Sequence, residues 1–221
     1  MKSLKQDIQN QFQYQYQKLH QYQYQHQDQN YENLIVAHIS EMFALELGFS
    51  TREANLIGKA AEYHDVGKAH ICPSIIMKPS ALTPDEFEIM KMHTKFGAQM
   101  LANIRGELGV VARTVAEFHH EDCQATGYWK VPTSQLPSFL PLVSIVDTYV
   151  ALRNRRPYKP SWPLEQTLEY LHTQSNVRFC PKLVERFIRF IHLIHTKSNL
   201  IHTTSKNPLH DELFCGKIVL S

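Results

Sequence analysis

Apolar residues recur at three- and four-residue steps along most of the chain, and this spacing is typical of helices that bury one face. The first such segment opens near Glu32 and closes at Gly48, with apolar positions at Leu34, Ile35, Ile39, Met42, Phe43 and Leu47. Further helices are predicted from about residue 51 through His64, from 84 to about 105, from 109 to 120, and over 138–152, 163–174 and 181–195. Convincing strand alternation is absent from this region, so the predicted fold class is all-α.

Two helix starts carry a specific signal. Ser50-Thr-Arg-Glu53 and Thr83-Pro-Asp-Glu86 both read as capping boxes, in which the first side chain and the glutamate satisfy each other's free backbone N–H groups. Pro84 stands at the first helical position, where its missing N–H costs nothing. The second of these helices carries His93.

The N-terminal segment differs in composition from everything after it. Glutamine occupies nearly every second position from Gln9 to Gln29, with tyrosines interleaved. One interpretation is a disordered or weakly helical leader, and the other is a self-association segment, because Gln/Tyr tracts favour β-type association. We therefore divide the chain into a leader over 1–31, one domain over 32–196 and a C-terminal tail over 197–221.

Composition narrows the function classes. The 221 residues have a net charge of +2 and 20% charged residues, which gives no strong signal for polymeric nucleic acid or a membrane surface. No apolar run approaches the roughly 20 residues of a membrane span. The four cysteines contain no CxxC pair and are typical of free thiols in a reducing compartment. We expect a cytoplasmic protein.

One series of polar residues carries the candidate chemistry. It recurs at intervals of about 26 to 29 residues and consists of His38, His64-Asp65, His93, His119-His120 and Asp147. Imidazole and carboxylate together suit Fe, Mn or Zn. Each residue alone has an ordinary explanation as a hydrogen-bonded core group, but Asp147 lies in so apolar a stretch that burying it unpaired would be costly. A helical bundle could turn the whole series toward one centre.

The chain from Tyr63 to Phe187, with His38 upstream, resembles the HD-GYP branch of the HD-domain metal-dependent phosphohydrolases. The segments that carry the resemblance are His64-Asp-Val-Gly-Lys68, Met77-Lys-Pro-Ser-Ala-Leu-Thr83, Met90-Lys-Met-His-Thr-Lys-Phe-Gly97, His119-His-Glu121, Gly127-Tyr128, Ile145-Val-Asp147 and Arg156-Pro-Tyr-Lys159. The resemblance implies an HD-domain helical bundle around a central metal site.

The same resemblance implies two divalent transition-metal ions, Fe or Mn first, with Zn, Ni or Mg as alternatives. The ligands implied for one ion are His38, His64, Asp65 and Asp147. Asp65 would bridge to a second ion bound by His93, His119 and His120. Such a pair hydrolyses phosphodiesters by activating water and neutralising phosphate charge.

The implied reaction is hydrolysis of cyclic di-GMP to the linear dinucleotide pGpG in bacterial signalling. Asp65 and Lys68 are the implied catalytic residues, and Lys68, Tyr128, Arg156 and Lys159 are the implied substrate contacts. Two alternatives stay open: an inactive or weak cyclic-dinucleotide sensor, and an HD phosphohydrolase acting on another nucleotide. Proteins with diguanylate-cyclase domains and a homodimer are the candidate partner and assembly.

The sequence departs from the family pattern in the loop after His119-His120 and at Leu34. The family's Gly-Tyr-Pro is Gly127-Tyr128-Trp129, and the Asp-Gly before it is Gln124-Ala125. Because proline fixes φ and glycine permits positive φ, we expect a loop of altered shape. Members with three metals have a glutamate where this chain has Leu34, so we expect two ions. All seven ligands of the two-metal site are present, which favours activity.

Overall fold

The computed structural model describes residues 27–154 and 160–202, with side chains over 31–154 and 160–195. Most of the predicted leader, most of the predicted tail, and the substrate residues Arg156 and Lys159 lie outside these ranges. Within them the elements are helical, and the predicted all-α fold class is confirmed. The α-helices are α1 (Gln27–Leu47), α2 (Thr51–Ala61), α3 (Pro73–Ile76), α4 (Pro84–Met100), α5 (Glu107–Phe118), α6 (Leu140–Arg153), α7 (Leu164–Thr173) and α8 (Pro181–His202).

Both predicted capping boxes are present. Ser50 Oγ accepts from Glu53 N–H at 3.3 Å, and Glu53 accepts from Ser50 N–H at 2.9 Å. At α4 the Thr83 N–H donates to Glu86 at 2.7 Å, with Pro84 at the first helical position. Each box fixes the residue at which its helix begins. In α4 this also fixes the position of His93 along the helix.

The core is built around α6, which packs against α1, α5 and α7. Its buried apolar residues are Leu140, Leu142, Val143, Ile145, Val146, Tyr149 and Val150. At one end of the core the Phe43 ring meets the Phe187 ring edge-on, with centroids 4.9 Å apart. Each such side chain contributes about 1.5–3 kcal/mol by leaving water. Because α6 is buried on most of its faces, its position is fixed, and so is the position of its polar residue Asp147.

The His64-Asp65 doublet lies in a turn, where the sequence predicted a helix. α2 ends at Ala61, and a 3-10 helix follows over Val66–His70. A Cβ atom on Gly67 would lie 1.9 Å from the carbonyl oxygen of His93, so only glycine permits this contact with α4. The close approach brings the doublet next to His93 and is the physical reason that the helix stops short.

Other boundaries differ by a few residues. α1 begins at Gln27, inside the predicted leader, and α4 ends at Met100 before the predicted end near Arg105. α3 and a 3-10 turn over Thr133–Gln135 were not predicted. No helix in the part of the chain that the structure describes is long and apolar enough to cross a membrane.

Candidate metal centre

Asp65 lies between two groups of candidate ligands. On one side its Oδ2 is 3.3 Å from His64 Nε2, and the same nitrogen is 3.4 Å from Asp147 Oδ1. On the other side its Oδ1 is 3.3 Å from His93 Nε2 and 3.8 Å from His119 Nε2. The turn after α2, the middle of α4 and the end of α5 therefore meet at Asp65, and His64 links this carboxylate to Asp147 in the middle of α6.

Three of the histidines are oriented by the backbone just before them. Nδ1 of His64 lies 2.8 Å from the Ala61 carbonyl, and Nδ1 of His93 lies 2.7 Å from the Met90 carbonyl. Nδ1 of His119 lies 3.0 Å from the Val115 carbonyl. A carbonyl oxygen only accepts, so each Nδ1 carries a proton and donates it. Hydrogen bonds of this kind fix the tautomer of metal-binding histidines and leave Nε2 facing the centre.

His93, His119 and His120 form a compact nitrogen cluster. One ring nitrogen from each lies within 4.8 Å of the others, and the Nε2 atoms of His93 and His119 are 3.5 Å apart. Burial lowers the pKa of His119 to about 3, and the charges of His64 and His93 add to that effect. Burial also lowers the pKa values of His93 and His120. The cluster is therefore neutral at neutral pH, as metal ligation requires.

The other side of the centre has the opposite electrostatics. Burial would lower the pKa of His64, but the carboxylates of Asp65 and Asp147 raise it to about 10. Burial would raise the pKa of Asp65, but Lys68 and His64 hold it well below its usual range. His64 likewise holds the pKa of Asp147 below its usual range against the effect of burial. The two ionised carboxylates inside the fold are therefore paired with the positive charges of Lys68 and His64.

The surroundings of Asp65 Oδ1 show that the residues of this site could hold divalent metal ions. Among the described residues this buried oxygen has no hydrogen-bond donor. The two nitrogens nearest to it, on His93 and His119, carry their protons on Nδ1 and face it with lone pairs. Lone pairs of nitrogen and oxygen that converge at this spacing repel each other unless a cation lies among them.

The remaining predicted site residues are placed unevenly. Lys68, on the 3-10 helix, forms an ion pair with Asp65 Oδ2. His38 lies on α1, which packs against α6, but its side chain is exposed. No ion pair or hydrogen bond in the described part of the chain joins His38 to the other six candidate ligands. Its role as a ligand stays a prediction.

The loop after His120 is held by two buried carboxylates that were not predicted to have this role. Glu121 accepts the N–H groups of Trp129 at 2.7 Å and Val131 at 2.8 Å, one on each oxygen. Asp122 accepts the N–H groups of Gln124 at 3.0 Å and Thr126 at 2.8 Å. Two acidic residues directly after an apolar helix were the available sequence signal, because buried carboxylates need donors. We call residues 121–131 the clamped loop.

Tyr128 of the clamped loop forms a wall of the centre. Its ring lies 4.4 Å from the His120 ring and 6.2 Å from the His93 ring, measured between centroids. A Cβ atom on Gly127 would lie 2.5 Å from the His120 carbonyl oxygen, so the loop folds directly back on the ligand pair. Burial, with the charges of Asp65 and Asp147, raises the pKa of Tyr128. Its phenol therefore keeps its proton as a hydrogen-bond donor.

Trp129 points toward α4. Its indole N–H donates to Thr94 Oγ1 at 3.0 Å, and Lys95 Nζ lies 4.5 Å from its ring centroid. Lys95 also pairs with Glu117 of α5 at 2.7 Å. These contacts favour the interpretation of Trp129 as a packing residue over stacking on a substrate base.

A model of the HD domain matches residues 10–183 of the chain. The chain is 34% identical over 158 residues to the cyclic di-GMP phosphodiesterase response regulator RpfG of Xanthomonas campestris, covering 70% of this chain and 41% of the relative. It is 34% identical over 155 residues to a cyclic di-GMP phosphodiesterase of Thermotoga maritima, covering 70% and 42%. It is 36% identical over 151 residues to the 3'3'-cGAMP-specific phosphodiesterase 2 of Vibrio cholerae, covering 68% and 29%.

A solved structure, described as a HDG"Y"P protein from Bdellovibrio bacteriovorus, superposes with a TM-score of 0.60 at 17% identity. The match covers 73% of this chain and 51% of that one and shows a shared fold. The chain spans less than half the length of the three curated relatives.

Proposed function

The chain belongs to the HD-domain family, and we propose that it is a metal-dependent phosphodiesterase that hydrolyses cyclic di-GMP to pGpG. The observation that carries the proposal is the position of Asp65, whose two oxygens face two separate groups of nitrogen and oxygen ligands. One carboxylate facing two ligand groups is what a binuclear centre needs, and binuclear centres suit phosphodiester hydrolysis. The names of the curated relatives support this reaction class.

We assign two divalent transition-metal ions, Fe or Mn, to this centre. The ligands proposed for one ion are His38, His64, Asp65 and Asp147, and those for the other are Asp65, His93, His119 and His120. When bound, the ions would supply an activated water and positive charge against the phosphate.

The protein's own groups have separate roles. The hydrogen bonds from Nδ1 of His64, His93 and His119 keep their rings in place before any ligand binds. Lys68, half-buried beside Asp65, is placed to hold a phosphate oxygen by its charge. Tyr128 covers His120 on the loop side, which limits the access of bulk water, and can donate a hydrogen bond to the substrate. Arg156 and Lys159 remain the proposed outer phosphate contacts.

The test is turnover by protein purified without oxygen or chelators and loaded with Mn²⁺ or Fe²⁺. Cyclic di-GMP, 3'3'-cGAMP and linear pGpG are supplied separately, and products are separated by chromatography. We expect a linear dinucleotide from at least one cyclic substrate, no activity after chelation, and none in Asp65→Asn. The exposed Asp85→Asn serves as the charge-matched control. Absence of hydrolysis by protein that holds two ions per chain would contradict the proposal.

A second candidate function is cyclic-dinucleotide sensing without turnover, and the altered loop favours it. Trp129 contacts α4, and Ala125, which stands where the family has glycine, adopts a φ of 55° beside the site. Under this alternative, the metal-loaded protein binds cyclic di-GMP in calorimetry but returns it unchanged. The same preparation therefore separates the two candidates.

A further inference from the structure

Phe87 is a half-exposed aromatic residue beside the metal centre that the proposed reaction does not use. It lies in the first turn of α4, and 44% of its surface remains exposed. Single exposed apolar residues are common on protein surfaces and need no explanation. The position of Phe87 relative to the metal ligands is the reason to infer a role for it.

The rings of His120, Tyr128 and Phe87 form a continuous row from the centre to the surface. The Tyr128 ring lies 4.4 Å from the His120 ring with the two planes at 38°, and Phe87 meets Tyr128 edge-on at 5.6 Å with the planes at 85°. Phe87 is the outermost ring of the row. Because so much of it is exposed although it contacts Tyr128, ring surface is left for another flat group.

Cationic side chains lie along the same side of α4. Lys91 Nζ, which pairs with Glu88 at 2.8 Å, lies 6.0 Å from the Phe87 ring centroid and 5.7 Å from the Trp129 ring centroid. Lys68 lies on the inner side, paired with Asp65. A ligand with an anionic group near Lys68 and an aromatic group near Phe87 would pair with the cationic side chain and stack on the ring. A nucleotide has this form, since its phosphate and base are joined through one sugar.

We propose that Phe87 is the stacking platform for one nucleobase of the substrate, with Tyr128 as the wall between platform and metal centre. This inference rests on the proposed function, because it takes a cyclic dinucleotide as the ligand. Every base has a π-face, so stacking tolerates changes of base. Phe87 should therefore raise the affinity for guanine and adenine dinucleotides alike and leave the choice between them to other groups.

The test is a kinetic comparison of Phe87→Ala with wild type, using metal-loaded full-length chain. Base stacking on an aromatic residue corresponds to a change of about 5- to 150-fold in alanine substitutions, so KM should rise within that range. The metal content, the melting temperature and kcat should stay at wild-type values. KM should rise equally for cyclic di-GMP and 3'3'-cGAMP if both are substrates, and Phe87→Trp should restore it.

Ile89→Ala is the matched control. Ile89 is 47% exposed on the same helix, but two residues further on it lies on another face. Its KM should not change. An unchanged KM in Phe87→Ala, or an equal rise in Ile89→Ala, would overturn the proposal.

A binding measurement distinguishes failure of this inference from failure of the proposed function. If wild type hydrolyses no cyclic dinucleotide, calorimetry with cyclic di-GMP on the metal-loaded protein decides. Weaker binding by Phe87→Ala than by wild type and Ile89→Ala would support the platform in a sensing protein. Equal binding by all three, or no binding by wild type, would overturn it.

Discussion

The metal centre and the clamped loop adjoin each other but are held in opposite ways. In the centre, three histidines are oriented by carbonyl groups three or four residues earlier in the chain, as at His64 and Ala61. In the loop, backbone N–H groups are held by the carboxylates of Glu121 and Asp122, up to ten residues away. The loop also contains two non-glycine residues at positive φ, Ala125 at 55° and Lys130 at 59°. The histidines of the centre are thus oriented by local, unstrained geometry, and the loop has strained backbone held by buried charge.

From this difference we predict that substitutions in the centre reduce metal binding. Substitutions in the loop should instead displace the loop and leave the metal ions bound. Four predictions, each with its own comparison variant, test this difference from the largest expected effect to the smallest.

Asp65→Ala should have the largest effect, because it removes the carboxylate that faces both ligand groups. Loss of a residue that supports a ligand costs 10–100-fold in metal affinity or activity, and loss of a shared ligand should cost more. We expect both ions and all hydrolysis to disappear. Elemental analysis together with turnover measures this.

His38→Ala is the comparison variant for Asp65→Ala. His38 is exposed, and among the described residues no ion pair or hydrogen bond joins it to the other candidate ligands. We expect one ion to be held more weakly and the second to remain. Full metal content and activity in Asp65→Ala would exclude the proposed centre.

The local character of the centre explains why much of it could be predicted. The capping boxes at Ser50 and Thr83 set the helices that precede His64 and carry His93, and both are visible as short motifs. The all-α fold and the HD-domain resemblance are confirmed by the structure and the family match. The turn at His64-Asp65 was missed because it depends on the contact of Gly67 with α4, which involves residues 26 positions further along the chain.

The clamped loop was predicted only in part, for the same physical reason. The sequence predicted a changed loop shape from Trp129 and Ala125, and that change stays a prediction. The structure shows that Trp129 contacts Thr94 of α4, 35 residues away. The partners of Glu121 and Asp122 could not be read from the sequence, since which N–H groups face a buried carboxylate depends on the path of the loop. The assignments of His38, Arg156 and Lys159 stay predictions.

Glu121→Gln should have the second largest effect and should act on loop position. A glutamine can present only one acceptor where Glu121 receives two N–H groups, and one N–H is left without a partner. Leaving a buried donor unsatisfied costs about 1–3 kcal/mol. We expect a loss of that size in urea unfolding, with metal content retained and KM raised several-fold, because Tyr128 loses its support.

Asp122→Asn is the matched control, since Asp122 holds the half of the loop that does not carry Tyr128. Both N–H groups bind Oδ1 of Asp122, which asparagine keeps, so a smaller loss of stability with an unchanged KM is expected. Equal KM values in the two variants would mean that the loop does not position Tyr128 through Glu121.

Substitutions of Trp129 should have a smaller effect on stability. Part of this effect comes from the backbone N–H of Trp129 and part from its indole ring. Trp129→Phe removes the hydrogen bond to Thr94, for a loss of about 0.5–1.5 kcal/mol. Trp129→Pro removes the N–H that Glu121 accepts as well, so restoring the family's proline should cost more than Trp129→Phe. A double-mutant cycle of Trp129→Phe with Thr94→Val measures the coupling. Coupling near zero, or a Trp129→Pro variant as stable as Trp129→Phe, would contradict these contacts.

Ala125→Gly should have the smallest effect and the opposite sign. Ala125 has a φ of 55°, and the left-handed region costs a residue with a Cβ atom about 1–2 kcal/mol. Glycine removes that strain but loses about 0.4–1 kcal/mol through the greater freedom of the unfolded chain. The net gain in unfolding free energy should therefore lie between about 0 and 1.6 kcal/mol, read from the urea midpoint. Ala102→Gly, at an exposed turn residue outside the positive-φ positions, carries only the unfolded-chain term and should lose stability. Because the two variants make the same chemical change, their difference isolates the strain at position 125. If the two variants lose stability equally, the backbone of the clamped loop is not strained at Ala125. The loop would then differ from the metal centre only in being held by the carboxylates of Glu121 and Asp122.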